Sequence, residues 1–390
     1  MKNIVPDESS NLSKVWRKIK NIETSLFPEL QEQFGMLSSK EEKLIKILDF
    51  AQIEEKITVV KITNPPKDRV EIARAFIAKS VYNLQTTRDL IDRLKSDRTL
   101  RVLCGWRYTA DIPSESKFSR VFDELSRLQI AQKTHQQFVD SYLRDTLFIY
   151  SASDATAIPM REKPVKKEKP QPKPKRKRGR PKKGEKATPK TPTILQQQLE
   201  MTDAEAMLSL LPVACDVGVK KNAKGYKETW VGGKLHLSVV DGDIPITAIF
   251  TSASVHDSSV ALPLIQKTSQ RVDYLYDLMD AGYDAESIRK YSQTFGHRPL
   301  IDINPKNSQK LKEYIALQKE EKKKFASFNL PLSCDTHHYN QRSMAERVNA
   351  YLKDDFGCKT IYYQGATKVA SVLSFGILSI CIHQALKLVT

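Results

Sequence analysis

Tyr339, Arg342, Glu346 and Lys353 follow one another at steps of three, four and seven residues in the run YNQRSMAERVNAYLK at 339–353. At about 100° per residue, a helix would hold all four side chains within an arc of about 60°. An acid flanked by two cations and a phenol suits a site that takes a metal ion and a phosphate backbone together. The carboxylate offers the hard oxygen a divalent cation prefers, and the guanidinium can grip phosphate with two parallel hydrogen bonds. The plainer alternative is a solvated helix face on which Arg342 and Glu346 form an i,i+4 ion pair.

Two further acids favour the first reading. The β-prone run LFIYSASD stops on Asp154 before small residues and Pro159, and VDYLYDLMD stops on Asp280. Each aspartate is therefore expected at the end of a strand, and parallel neighbours bring such ends to one rim of a sheet. Glu346, from a later helix, would complete a cluster of three carboxylates. Such a cluster can hold two Mg²⁺ (or Mn²⁺) ions about 3.5–4 Å apart for phosphoryl transfer. Asp277 lies inside its strand, so Asp280 is preferred as the second acid, while Asp257 and Asp284 read as helix N-caps. His256, just before a helix, reads as structural. Lys234 and His236 share a strand face, where DNA contact is one option, and Trp230 reads as packing.

The elements that must position these residues follow from periodicity. Residues 1–146 are expected to form an all-helical N-terminal domain, with Ser39 and Glu42 as a capping box and a break at Pro65-Pro66. The span 87–128 has the outline of a helix-turn-helix, with Lys117, Arg120 and Arg127 along its second helix as a DNA-facing edge. A catalytic domain is expected over 147–390. It begins with a strand and the basic insert, then a helix near 194–210. Three strands follow, and the Val240-Asp241-Gly242-Asp243 turn makes the last two antiparallel. Helix, strand, helix, strand and closing helices complete it. This mixed α/β order fits a ribonuclease-H-like sheet with flanking helices. The 14-residue apolar run 369–382 is too short to span a bilayer and reads as a buried helix. No membrane partner or signal peptide is expected. Five widely spaced cysteines, none in a CxxC pair, indicate neither zinc nor a disulfide framework and point to a reducing compartment.

The formal net charge of +17 points to a polyanionic partner. Residues 161–193 carry +12 of it, fifteen Lys and Arg against three Glu, together with seven prolines. Such a segment cannot bury a core and is expected to be disordered. Within it, Lys177-Arg178-Gly179-Arg180-Pro181-Lys182-Lys183 resembles an AT-hook, whose Gly-Arg-Pro core lies along the minor groove of A·T-rich DNA. A generic polybasic linker is the alternative, and either would bind DNA in a salt-dependent way.

Over roughly residues 95–390 the chain resembles the DDE transposases of bacterial insertion sequences. Their last acid sits in a Y-x2-R-x3-E-x6-K signature, which Tyr339, Arg342, Glu346 and Lys353 match in full. SDATAIP around the first acid, WVGGKLHL at 230–237 and DAGYD around the second are also similar. The resemblance implies that Asp154, Asp280 and Glu346 bind metal, and that Tyr339, Arg342 and Lys353 contact phosphates of the element end. It further implies DNA as partner, both element ends and target, and a homodimer when assembled on DNA. The setting it implies is the bacterial cytoplasm, associated with the nucleoid when DNA-bound. Two features depart from the pattern: the basic insert follows the first acid directly, and only 66 positions separate Asp280 from Glu346, too few for the large β insertion of some relatives. A related nuclease or inactivated copy, and a non-catalytic AT-hook protein, are the rival readings.

Overall fold

The computed structural model describes residues 11–58, 67–165, 192–221, 225–306, 308–327 and 334–389. Most of the basic segment, with the AT-hook-like Arg178, Gly179, Arg180 and Pro181 and the expected disorder there, lies outside the described residues.

Helices fill the N-terminal region: α1 (Asn11–Asn21), then a π-helical turn at Ile22–Leu26, α2 (Phe27–Phe34), α3 (Ser39–Ala51), α4 (Ile53–Thr58), α5 (Arg69–Val81), α6 (Thr87–Ser96), α7 (Arg98–Cys104), α8 (Glu115–Arg127) and α9 (Ile130–Tyr142). The capping box of α3 uses Ser38 and Glu41, one residue earlier than expected, because two S-x-x-E registers overlap there. The stretch 87–104, in the first part of the expected helix-turn-helix, forms two helices that meet at Asp97. Its side chain accepts from the Leu100 amide at 2.9 Å and caps a new helix.

The sheet is built from β1 (Leu147–Pro159), β2 (Asp216–Lys221), β3 (Lys227–Val240), β4 (Ile244–Ser252), β5 (Asp273–Met279) and β6 (Arg298–Ile301). Two short helices, α10 (Ile194–Leu199) and α11 (Ala204–Ser209), stand where one was expected. Then come α12 (Ala261–Ser269), α13 (Glu286–Thr294), α14 (Gln309–Ser327), α15 (Cys334–Asn340), α16 (Ser343–Asp354) and α17 (Ala366–Val389). β1 is central. It pairs antiparallel with β3 on one side and parallel with β5 on the other, and β6 pairs parallel with β5. β3 in turn pairs with β2 along its first part and with β4 along its second. The order β4-β3-β1-β5-β6, three antiparallel strands followed by two parallel ones, is a ribonuclease-H-like mixed sheet, and the helical region precedes it.

β1 does not end at Asp154: its ladder with β5 ends at Ser153↔Met279, but its ladder with β3 continues to Pro159↔Gly232. A strand paired on one edge keeps its backbone groups satisfied there, so it runs on after the other neighbour has turned away.

α16 packs over β1 and β3, and α12 packs over β3 and β4. α17 is long and apolar enough to cross a membrane by length and composition, yet most of it is buried within the protein. It lies against α3, α5, α8, α9 and β4. Phe375 of α17 sits 5.7 Å from Phe76 of α5, which stacks at 4.4 Å on Phe122 of α8. The helical region and the sheet therefore share a continuous apolar core, to which this helix contributes.

Candidate active site

The β1–β5 register builds the site. With Ser153 opposite Met279, the next residues along, Asp154 and Asp280, emerge side by side where the parallel ladder ends. Strand alternation sends both toward the face covered by α16, and sends Asp277 to the other face. There Asp277 is 1% exposed and accepts a hydrogen bond from Ser292. Burial pushes the Asp154 carboxyl up to about 6, opposed by the Ala155 amide and reinforced by the Asp280 charge. Asp280 is raised as well, chiefly by burial, although the Gly282 amide donates to its Oδ1 at 2.9 Å. The positive charge of Arg342 opposes the shift of both aspartates, which places it as their common neighbour.

α16 carries the facing side chains. Lys353 Nζ donates to Thr156 Oγ1 at 2.5 Å, two residues beyond the first acid on β1. Burial, then the charge of Lys220, lowers its pKa. Tyr339 lies at the end of α15, so the single helix expected over 339–353 is broken by a turn at 341–342 and does not carry all four side chains. Its hydroxyl pKa is raised by burial and by its hydrogen bond with Asp302. Arg342 Nη2 donates to Glu346 Oε1 at 2.6 Å, so the i,i+4 ion pair of the plainer reading is present, with the Glu346 side chain 53% exposed. Asp154 and Asp280 are thus brought together, while Glu346 faces Arg342 on the helix above. Among the described residues no three His, Cys, Asp or Glu side chains gather closely enough to hold a metal ion.

Sequence reasoning missed Asn349. It lies seven residues after Arg342, on the same stripe, and its Nδ2 donates to Asp154 Oδ2 at 3.0 Å. Spacing alone could have singled it out. It also missed Asp257, expected as an N-cap. His256 caps the turn Asp257–Ser259 instead, and the Asp257 carboxylate accepts from Lys234 Nζ at 3.0 Å. Lys234 and His236 share a face, as expected, but His236 is fully buried and the Lys234 side chain is 14% exposed. Both point toward Asp257 rather than solvent. Asp284 caps no helix: it accepts from Arg289 at 3.0 Å and from the Asn304 amide at 2.8 Å. Trp230 donates to the Gly233 carbonyl at 3.0 Å within its own strand.

Away from the acids, α8 buries Phe118, Val121, Phe122 and Leu125. Its Lys117 forms an ion pair with Asp68, and Arg127 pairs with Asp123 at 3.1 Å. Arg120 is exposed, its Nε facing the Ser116 carbonyl at 3.4 Å.

A family model described as the transposase DDE domain matches residues 151–382, a span that runs from β1 into α17 and includes all three acids. A second, described as a transposase domain, matches 29–124 within the helical region. No curated protein matches the chain. With more than half of its length matched, the chain belongs to the transposase DDE-domain family.

Proposed function

We propose that this transposase cleaves DNA at the ends of its element and joins the freed 3′-hydroxyls to target DNA, using Asp154, Asp280 and Glu346. The observation that carries this reading is the pair Asp154 and Asp280 at the end of the β1–β5 ladder, beneath the helix that bears Arg342, Glu346 and Lys353. The donor set suits a divalent cation. Two part-buried carboxylates repel each other and hold their protons more tightly than free ones, and a cation between them would relieve both effects. Asp154 and Asp280 would hold Mg²⁺ or Mn²⁺, with Glu346 as the third ligand. When bound, such ions make an attacking water or 3′-hydroxyl more acidic and stabilise the leaving oxygen.

The chain's own residues then bind and orient the DNA. Arg342 exchanges its bond to Glu346 for a phosphate, which frees the carboxylate for its role as ligand. Lys353 and Tyr339 flank the same strand and fix its register without reading bases. Residues 1–146 contribute a DNA-binding region with Arg120 on its surface and Lys117 available once released from Asp68. The basic segment around Arg178, Gly179, Arg180 and Pro181 follows the minor groove, and its binding weakens steeply with salt. Two copies act together on paired ends.

A second reading, a nuclease or inactive copy without strand transfer, is favoured by the Arg342–Glu346 ion pair alone. Purified protein and Glu346→Gln are compared on labelled element-end DNA with Mg²⁺ or Mn²⁺. Cleavage and a joined product from the parent, both lost in the variant, are expected. Cleavage without joining favours the nuclease, and cleavage unchanged in the variant removes Glu346 from the site.

A further inference from the structure

A fourth carboxylate lies beside the two aspartates and has no place in the reading above. Asp257 opens a 3-10 turn that packs directly against the turn Ala281–Tyr283, which follows Asp280. Its Oδ1 accepts from Lys234 Nζ at 3.0 Å, and the same ammonium donates to the Val255 carbonyl at 2.9 Å. His236 Nδ1 stands 3.9 Å from that oxygen. The imidazole is fully buried, and Nδ1 has no hydrogen-bond partner.

The other oxygen of Asp257 lies near Gly282, two residues past Asp280. A methyl group built on Gly282 would lie 3.5 Å from Asp257 Oδ2 and 2.9 Å from Asp280 Oδ1, so the two carboxylates bracket one α-carbon. No larger residue fits there without moving one of them. Tyr283 closes this turn. It is 1% exposed, its hydroxyl has no partner, and after burial the charges of Asp257, Asp154 and Asp280 act on it in that order.

We infer that Asp257, anchored by Lys234, is a positioning residue for DNA cleavage: it holds the 281–283 turn that aims Asp280 and supplies negative charge beside the cation-binding oxygens. This rests on the reading of Asp154 and Asp280 as cation ligands. An ion pair that merely braced the fold would leave cation affinity unchanged, so affinity is the discriminating quantity. Partners of this kind behind a ligand typically alter metal affinity or activity by about 10- to 100-fold.

The test uses the full chain without DNA, reading the thermal midpoint as Mn²⁺ is added. The parent, Asp154→Asn, Asp257→Asn and Lys234→Met are compared. The parent is expected to gain stability with Mn²⁺, and Asp154→Asn to lose that gain. Asp257→Asn should need on the order of 10-fold more Mn²⁺ for half of the gain. Lys234→Met, which keeps a packed stem but releases the anchor, should shift the same way by less. Half-saturation unchanged in both Asp257→Asn and Lys234→Met, with the Asp154→Asn effect intact, overturns the inference alone. If Asp257→Asn does not fold, an unmoved Lys234→Met overturns it. A parent that does not respond to Mn²⁺ overturns the inference together with the cation reading beneath it.

Discussion

Asn349→Leu separates the chemistry of the site from its packing. Asn349 is 6% exposed, and its side chain donates from Nδ2 to Asp154 Oδ2 on β1 at 3.0 Å. A hydrogen bond to a charged group contributes about 1.5–3 kcal/mol, which corresponds to roughly 10- to 100-fold in rate. The fold has less to lose. Asn349 Oδ1 is buried without a partner, and leucine has a similar volume with no polar atom to satisfy. The thermal midpoint should therefore move by no more than about 1 °C, equivalent to about 1 kcal/mol in a chain of this length. Cleavage of end DNA at saturating Mg²⁺ should nevertheless fall by about 10- to 100-fold. Asn349→Asp, which sets a second negative charge against Asp154, should fall at least as far. A Leu variant that cleaves at the parent rate would refute the claim that Asn349 orients Asp154. A loss of activity that only tracks the loss of folded protein would reduce Asn349 to a packing residue.

Two further outcomes follow from buried groups. His135 is 5% exposed against the Pro245 carbonyl, and burial, aided by the Arg271 charge, pushes its pKa from 6.5 down to about 4. The unfolded chain therefore takes up a proton that the folded chain refuses, so this contribution is intact above pH 6.5 and is lost as the pH falls toward 4. At about 1.36 kcal/mol per unit, moving from pH 6.5 to 5 removes about 2 kcal/mol. Urea unfolding of His135→Gln at pH 7.5 and 5 should show a smaller difference than the parent, and an equal difference would disprove the linkage. Gly232 lies between β1 and β2 with φ +154°, and a Cβ there would stand 2.1 Å from the Ile158 carbonyl oxygen. Gly232→Ala should cost about 3 kcal/mol or more and lower the thermal midpoint by at least about 3 °C. Melting at the parent temperature would show that β1 can shift to make room.

The turn at 341–342 that leaves Tyr339 on α15 was not readable in the chain, whereas the α16 face with Glu346 and Lys353 and the mixed α/β order were. Both rest on periodicity, which backbone geometry converts directly into faces and strands. The preference for Asp280 over Asp277 came from its place at the end of the run, and in the structure alternation along the strand sends Asp277 to the opposite face. Local competition blurred the finer points, as where overlapping S-x-x-E registers moved the cap of α3 to Ser38. What only the tertiary structure decided were pairings between distant segments. The continuation of β1 past Asp154 depends on β3, some eighty residues later. The bond of Asn349 to Asp154 spans 195 residues, and the Lys234–Asp257 pair beside Asp280 joins three separate segments. Nothing in local composition encodes such contacts, because a polar side chain takes its partner only after the apolar core has set which elements meet.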